Sequence, residues 1–150
     1  MKKVLIGIAL VALAGCAVDS TGLRPEHLMR PEHLCTERNL PMTFPEIQMA
    51  LFKHEAKCGT APYFRVKEGE TGYATITEPG AQDMPWNQTI IFDLMWLQPT
   101  LRYESRTRVY VYSFYSNADI KQRIDAVFNA ILHPEYCPGE PIPADAEDGE

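Results

Sequence analysis

Thr89-Ile90-Ile91-Phe92-Asp93-Leu94-Met95-Trp96-Leu97, the most apolar run outside the N-terminus, decides the fold together with the stretch 101–115 that follows it. In the first run Ile90, Phe92, Leu94 and Trp96 alternate with Ile91, Asp93, Met95 and Leu97, the period-two pattern of a strand with two unlike faces. The second is rich in β-branched and aromatic residues, which favours the pleated state. Gln98-Pro99-Thr100 turns the chain between them. Working back, residues 63–67 and 73–78 flank Glu68-Gly69-Glu70-Thr71-Gly72, a turn-rich hairpin connection. Residues 79–88 form a longer loop holding Gly80, Pro85 and Trp86.

Helices bracket these strands. Thr43 is a good N-cap with Glu46 three residues on, and Pro45 falls in the first turn, where its missing N–H costs nothing. Ile47, Leu51, His54 and Cys58 share one face, and Gly59 is placed to close the helix, predicted over 45–57. A second helix starts at Ser116-Asn117-Ala118-Asp119, carries the stripe Ile120, Ile124, Val127, Phe128 and Ile131, and stops at Pro134. The order helix, four strands, helix with short connections predicts an α+β two-layer sandwich: a four-stranded antiparallel meander with both helices on one face.

The 150 residues allow one domain, predicted over 43–137. Upstream, 16–42 reads as a Pro-containing tether: Arg24-Pro25-Glu26-His27-Leu28 repeats as Arg30-Pro31-Glu32-His33-Leu34, and each proline holds its predecessor extended. Downstream, 138–150 is rich in Pro, Gly and acids and is expected to be disordered. The net charge of −6 argues against a nucleic-acid partner.

At the N-terminus, Lys2 and Lys3 precede the apolar run 4–13, too short to span a bilayer as a mature helix, and then Leu13-Ala14-Gly15-Cys16. Those four residues resemble the lipobox of bacterial lipoproteins. The resemblance implies a signal peptide over 1–15, cleavage between Gly15 and Cys16, and lipid (a diacylglycerol thioether and an acylated amine) on Cys16. It implies a membrane partner through that lipid. Ala17, where the family's inner-membrane retention signal has Asp, implies the outer membrane, periplasmic side, in a Gram-negative host. The likeness covers the first sixteen residues; the remainder is similar to small outer-membrane assembly lipoproteins in layout alone.

Export bears on the other cysteines. With Cys16 lipidated, Cys35, Cys58 and Cys137 face an oxidising compartment, so one disulfide and one leftover thiol are expected. With antiparallel helices, Cys35 and Cys137 fall at the same end of the domain, which favours a Cys35–Cys137 bridge. A Cys35–Cys58 bridge is the alternative, because residues 35–43 can run back along the helix.

No nucleophile elbow, phosphate-cradling glycine loop or His-Glu-x-x-His motif is present, so neither a catalytic residue nor a cofactor is expected. His33, Cys35, His54 and Cys58 make a two-Cys, two-His set, but without Cys-x-x-Cys, and thiols in such a compartment pair first; no metal is expected. The suggestive surface is the last strand. In a regular pleat Arg102, Arg106, Arg108, Tyr110 and Tyr112 share one face, opposite the face of Thr107, Val109 and Val111. Such a stripe, with Trp86 in the long loop, suits an envelope protein or other envelope component as partner. The expected function is a non-enzymatic, lipid-anchored binding or assembly module. A lipid or small-ligand carrier with a pocket lined by Phe92, Trp96 and Phe128 is the alternative, and a thiol or metal-linked enzyme using Cys58 and His54 a third.

Overall fold

The computed structural model describes residues 22–80, 84–102, 104 and 106–143. The signal peptide 1–15, the Gly15/Cys16 cleavage point and the lipid on Cys16 lie outside the described residues, as does 144–150 of the tail. The elements run α1 (Pro25–Leu28), β1 (Leu34–Leu40), α2 (Phe44–Cys58), β2 (Tyr63–Val66), β3 (Tyr73–Glu78), β4 (Ile90–Leu97), β5 (Arg106–Ser113) and α3 (Ala118–Leu132), with short 3-10 turns at Pro31–His33 and Trp86–Gln88. Among the described residues no helix is long and apolar enough to cross a membrane.

Both long helices start where the capping chemistry places them. The Thr43 backbone N–H and hydroxyl both donate to the Glu46 carboxylate, at 2.7 and 2.8 Å, which holds that carboxyl below its ordinary pKa. Gly59, at φ 80°, closes α2 with its N–H on the Glu55 carbonyl at 2.8 Å. The Asn117 side-chain oxygen accepts from the Ile120 N–H at 2.9 Å to open α3.

The fold is α+β with an antiparallel sheet, but of five strands in the order β1-β5-β4-β3-β2, where four were predicted. The meander β2 to β5 is as expected; the fifth strand comes from within the supposed tether. Since each neighbouring pair is antiparallel, β1 and β2 run parallel at opposite edges, and α2 carries the chain across. One face of the sheet packs on α2 and α3. That core joins Ile47 and Leu51 of α2, Ile76, Phe92, Leu94, Val109 and Val111 of the sheet, and Ile124, Val127 and Phe128 of α3. Phe92 and Phe128 meet edge to face at 5.6 Å, each about 1% exposed or less. Those two rings therefore pack on each other in the core, and Trp96, 37% exposed, stands apart from them.

The spacer reading of 16–42 fails over residues 22–42, the part the structure describes. Each proline of the tandem repeat sits in the first turn of a helical segment, α1 in the first copy and a 3-10 turn in the second. The fixed φ of proline suits a first helical turn as well as an extended chain, and the sequence reading used only the latter. The two copies then part company. Leu28 is completely buried, whereas Leu34 is 43% exposed and opens β1. β1 lies along β5 from Leu34↔Tyr112 to Leu40↔Thr107, with a bulge between Leu34 and Thr36. Arg38, facing the helices, spreads over the Phe128 ring at 4.3 Å and pairs with Asp125 of α3 at 2.7 Å.

The disulfide joins Cys58 to Cys137, with Cα atoms 5.5 Å apart, and Cys35 is free. This corrects both expected pairings, Cys35–Cys137 and Cys35–Cys58. Cys35 travels with β1 and packs against the edge of the core, where burial pushes its thiol pKa up. After α3 the chain doubles back: Tyr136, Cys137 and Ile142 line one groove with Ala118, Lys121 and Asp125 of α3. That return brings Cys137 level with the end of α2. It also means the tail is ordered at its start, where the Cys137 N–H donates to the Glu140 carboxylate at 2.9 Å.

Candidate binding face

The pleat of β5 keeps its phase throughout. Thr107, Val109, Val111 and Ser113 are buried on the helix side, and Arg106, Arg108, Tyr110 and Tyr112 project half-buried from the other. Register then dictates what stands beside them. Across the sheet, Leu34, Tyr112, Ile91, Thr77 and Tyr63 form one row, and Glu37, Tyr110, Asp93, Thr75 and Arg65 the next. The third is Asn39, Arg108, Met95 and Tyr73. The sequence thus places four of its candidates together. Arg102 is not among them: β5 starts at Arg106, and Arg102 lies in an exposed turn before it.

Among the described residues, charge on this face is paired at Arg108 but not at Asp93. Arg108 reaches Glu37 at 3.3 Å and hydrogen-bonds Tyr110, which together hold its guanidinium more firmly protonated. Asp93 has no cation directly opposite, only Tyr110 and Thr75. Burial pushes its carboxyl above the ordinary value, against a lowering pull from Lys67. Tyr112 is pushed up too, by burial first and then by Asp93, Tyr110 and Glu37.

A sign follows for stability. A carboxyl with a raised folded-state pKa gives the native protein extra protons relative to the unfolded chain. Its stabilising contribution is present in acid and is lost as pH rises through the folded pKa. Asp93→Asn is therefore expected to raise the urea midpoint at pH 7, with the gain fading at pH 3. Equal midpoints for variant and parent at pH 7 would mean the carboxylate is not desolvated.

At one end the face is roofed. α1 and the Trp86–Gln88 turn touch each other, and with β2, β3 and β4 they enclose a groove of about 340 Å³. Trp86 and Met29 line it from the roof, and Tyr63, Arg65, Thr75, Thr77 and the apolar Ile91 from the strands. Ile91 is only 2% exposed although it faces away from the helices. The sequence reading singled out Trp86 and missed the rest. The alternation in Tyr73-Ala74-Thr75-Ile76-Thr77-Glu78 carried the signal for the two threonines; nothing local marked α1 as their roof.

On the helix side, a wider cleft of about 990 Å³ runs between α2, α3 and the β2–β3 edge. Arg123 bridges it to the Glu78 carboxylate, Nε to Oε2 at 2.9 Å, and Phe52, 56% exposed, stands at its rim. His54, 4% exposed, has Nδ1 3.7 Å from Cys58 Sγ. That sulfur is bound to Cys137, so neither the thiol–imidazole couple nor the His33, Cys35, His54, Cys58 ligand set is assembled. No family model, curated protein or solved structure matches the chain.

Proposed function

We propose that the chain is a lipid-anchored envelope protein whose uncovered sheet face binds a partner, acting as a binding or assembly module and not as an enzyme. The observation that carries this reading is the phase of β5, which leaves Arg106, Arg108, Tyr110 and Tyr112 on the face that α2 and α3 do not cover. Aromatic and arginine side chains are the types that dominate contact energies at protein interfaces. Against catalysis stands the Cys58–Cys137 bridge, which removes the sulfur nearest an imidazole.

The anchor is Cys16, in the lipobox-like Leu13-Ala14-Gly15-Cys16, and Ala17 after it favours the periplasmic side of an outer membrane. The partner is another envelope protein or envelope component. Because α1 starts at Pro25, the link from Cys16 is shorter than the expected tether. Residues 17–24 reach at most about 28 Å when fully extended. The domain therefore works close to the headgroups, its roofed groove next to the link.

The test is a photo-crosslinking residue at position 110 in living cells of the native host. Arg106→Glu and Tyr110→Ala are expected to cut crosslinked product severalfold, read from a crosslinker at position 112, with unchanged thermal melting. Folded variants with undiminished product refute the reading; variants that unfold show that this face is core.

A further inference from the structure

The roofed groove differs in chemistry from the rest of the open face. Elsewhere on the sheet Lys67 pairs with Glu70 at 3.0 Å and Arg108 with Glu37 at 3.3 Å. Arg65, on the groove wall, has no ion pair or hydrogen-bond partner among the described residues. Thr75 and Thr77 stand beside it on β3, paired across the ladder with Arg65 and Tyr63, so two hydroxyls and a guanidinium share the strand side. Ile91 of β4 continues the row of Thr77 on the same sheet face, and the indole of Trp86 and the side chain of Met29 complete the lining from the roof. Asp93 lies one strand beyond Thr75 and outside the lining.

A guanidinium fork is matched to a carboxylate, with hydroxyls able to donate to the same oxygens. The indole and methionine surfaces want an apolar body. The volume of about 340 Å³ sits at the small end of the range for ligand sites. We propose that this groove binds a carboxylate carrying an aromatic or branched apolar group, its anion on Arg65 and its apolar part against Trp86. The proposal rests on the open face being a binding surface and names what one end of it takes. A free aromatic acid and the C-terminal residue of a peptide share this chemistry.

The experiment uses a Trp96→Phe background, which leaves Trp86 as the only indole of the chain's two. Three probes are titrated against its fluorescence: 3-phenylpropionate, N-acetyl-Ala-Phe with a free carboxylate, and the same dipeptide as its amide. Saturable binding of at least one acid is expected, weakened about tenfold or more by amidation of the dipeptide or by Arg65→Ala. The tighter of the two acids assigns the source. Equal affinity for acid and amide, no effect of Arg65→Ala, or no saturation up to about 10 mM overturns the proposal. Circular dichroism of Arg65→Ala controls for folding, and Arg65→Gln is the second variant should it melt early. The crosslink at position 110 separates the two failures: if it persists while the acids do not bind, only the groove assignment falls.

Discussion

Cys58→Ser, Cys137→Ser or the double replacement is expected to lower the unfolding free energy of the domain by about 4 kcal/mol, for a bridge that closes a loop of 79 residues. In the chain-entropy account the bridge acts by removing conformations from the unfolded ensemble, and the cost of opening a loop grows only slowly with its length. This fold gives the bridge a second task. It fastens the segment after α3, which lies in a groove along that helix, to the end of α2. Urea denaturation with and without reductant measures the effect: the reduced parent should unfold with the double-serine variant, while Cys35→Ser stays near the oxidised parent. Peptide mapping without reduction should recover Cys58 linked to Cys137. A destabilisation by Cys35→Ser as large as that by Cys58→Ser would count against the observed pairing.

Leu28→Ala should be nearly as damaging, by about 3 kcal/mol. Leu28 is completely buried, yet it is outside the cluster formed by α2, α3 and the inner sheet face. Its burial lies with the α1 roof on the opposite face. A leucine in a solvated spacer would tolerate alanine within about 0.5 kcal/mol. Leu34→Ala, at the matching position of the second repeat but 43% exposed, is the internal control and should fall near that lower figure. Equal, small effects at both positions would return 24–34 to the role of a tether.

These two results bear on how far the fold was legible in the sequence. Helices α2 and α3 were readable because their ends carry their own chemistry: Thr43 with Glu46, Gly59, Asn117. β3, β4 and β5 were readable because their inward residues are apolar at every second position, as in Val109 and Val111 against Tyr110 and Tyr112. β1 was not. Its inward residues include Thr36 and Arg38, and only Leu40 is fully buried, since an edge strand beside α3 can meet the core through an arginine stem and a cation–ring contact. No period-two apolar signal survives that. The strand expected from residue 101 is too long in the opposite sense: composition carries the pleat back to Leu101 and Arg102, which lie in a turn, past the point where the ladder to β4 ends at Arg106↔Leu97.

The candidate site divides the same way. The uncovered face of β5 follows from strand phase, so Arg106, Arg108, Tyr110 and Tyr112 were found together. The groove depends on a contact between α1 and the Trp86 turn, far apart in sequence, and the disulfide on a chain reversal after α3. Neither has a local signature. Pairing Cys58 with Cys137 required knowing where residues 133–137 go after the helix stops, and Pro134 tells only that it stops.

Everything proposed about location and partner depends on the N-terminal cysteine being held in a bilayer. The direct measurement is the intact mass of the protein purified from its native host in detergent, with fragmentation of its N-terminal peptide. The account predicts a chain beginning at Cys16, with a diacylglyceryl thioether on its sulfur and an acylated amine. A mature chain that retains residues 1–15, or one carrying an unmodified Cys16, would contradict it.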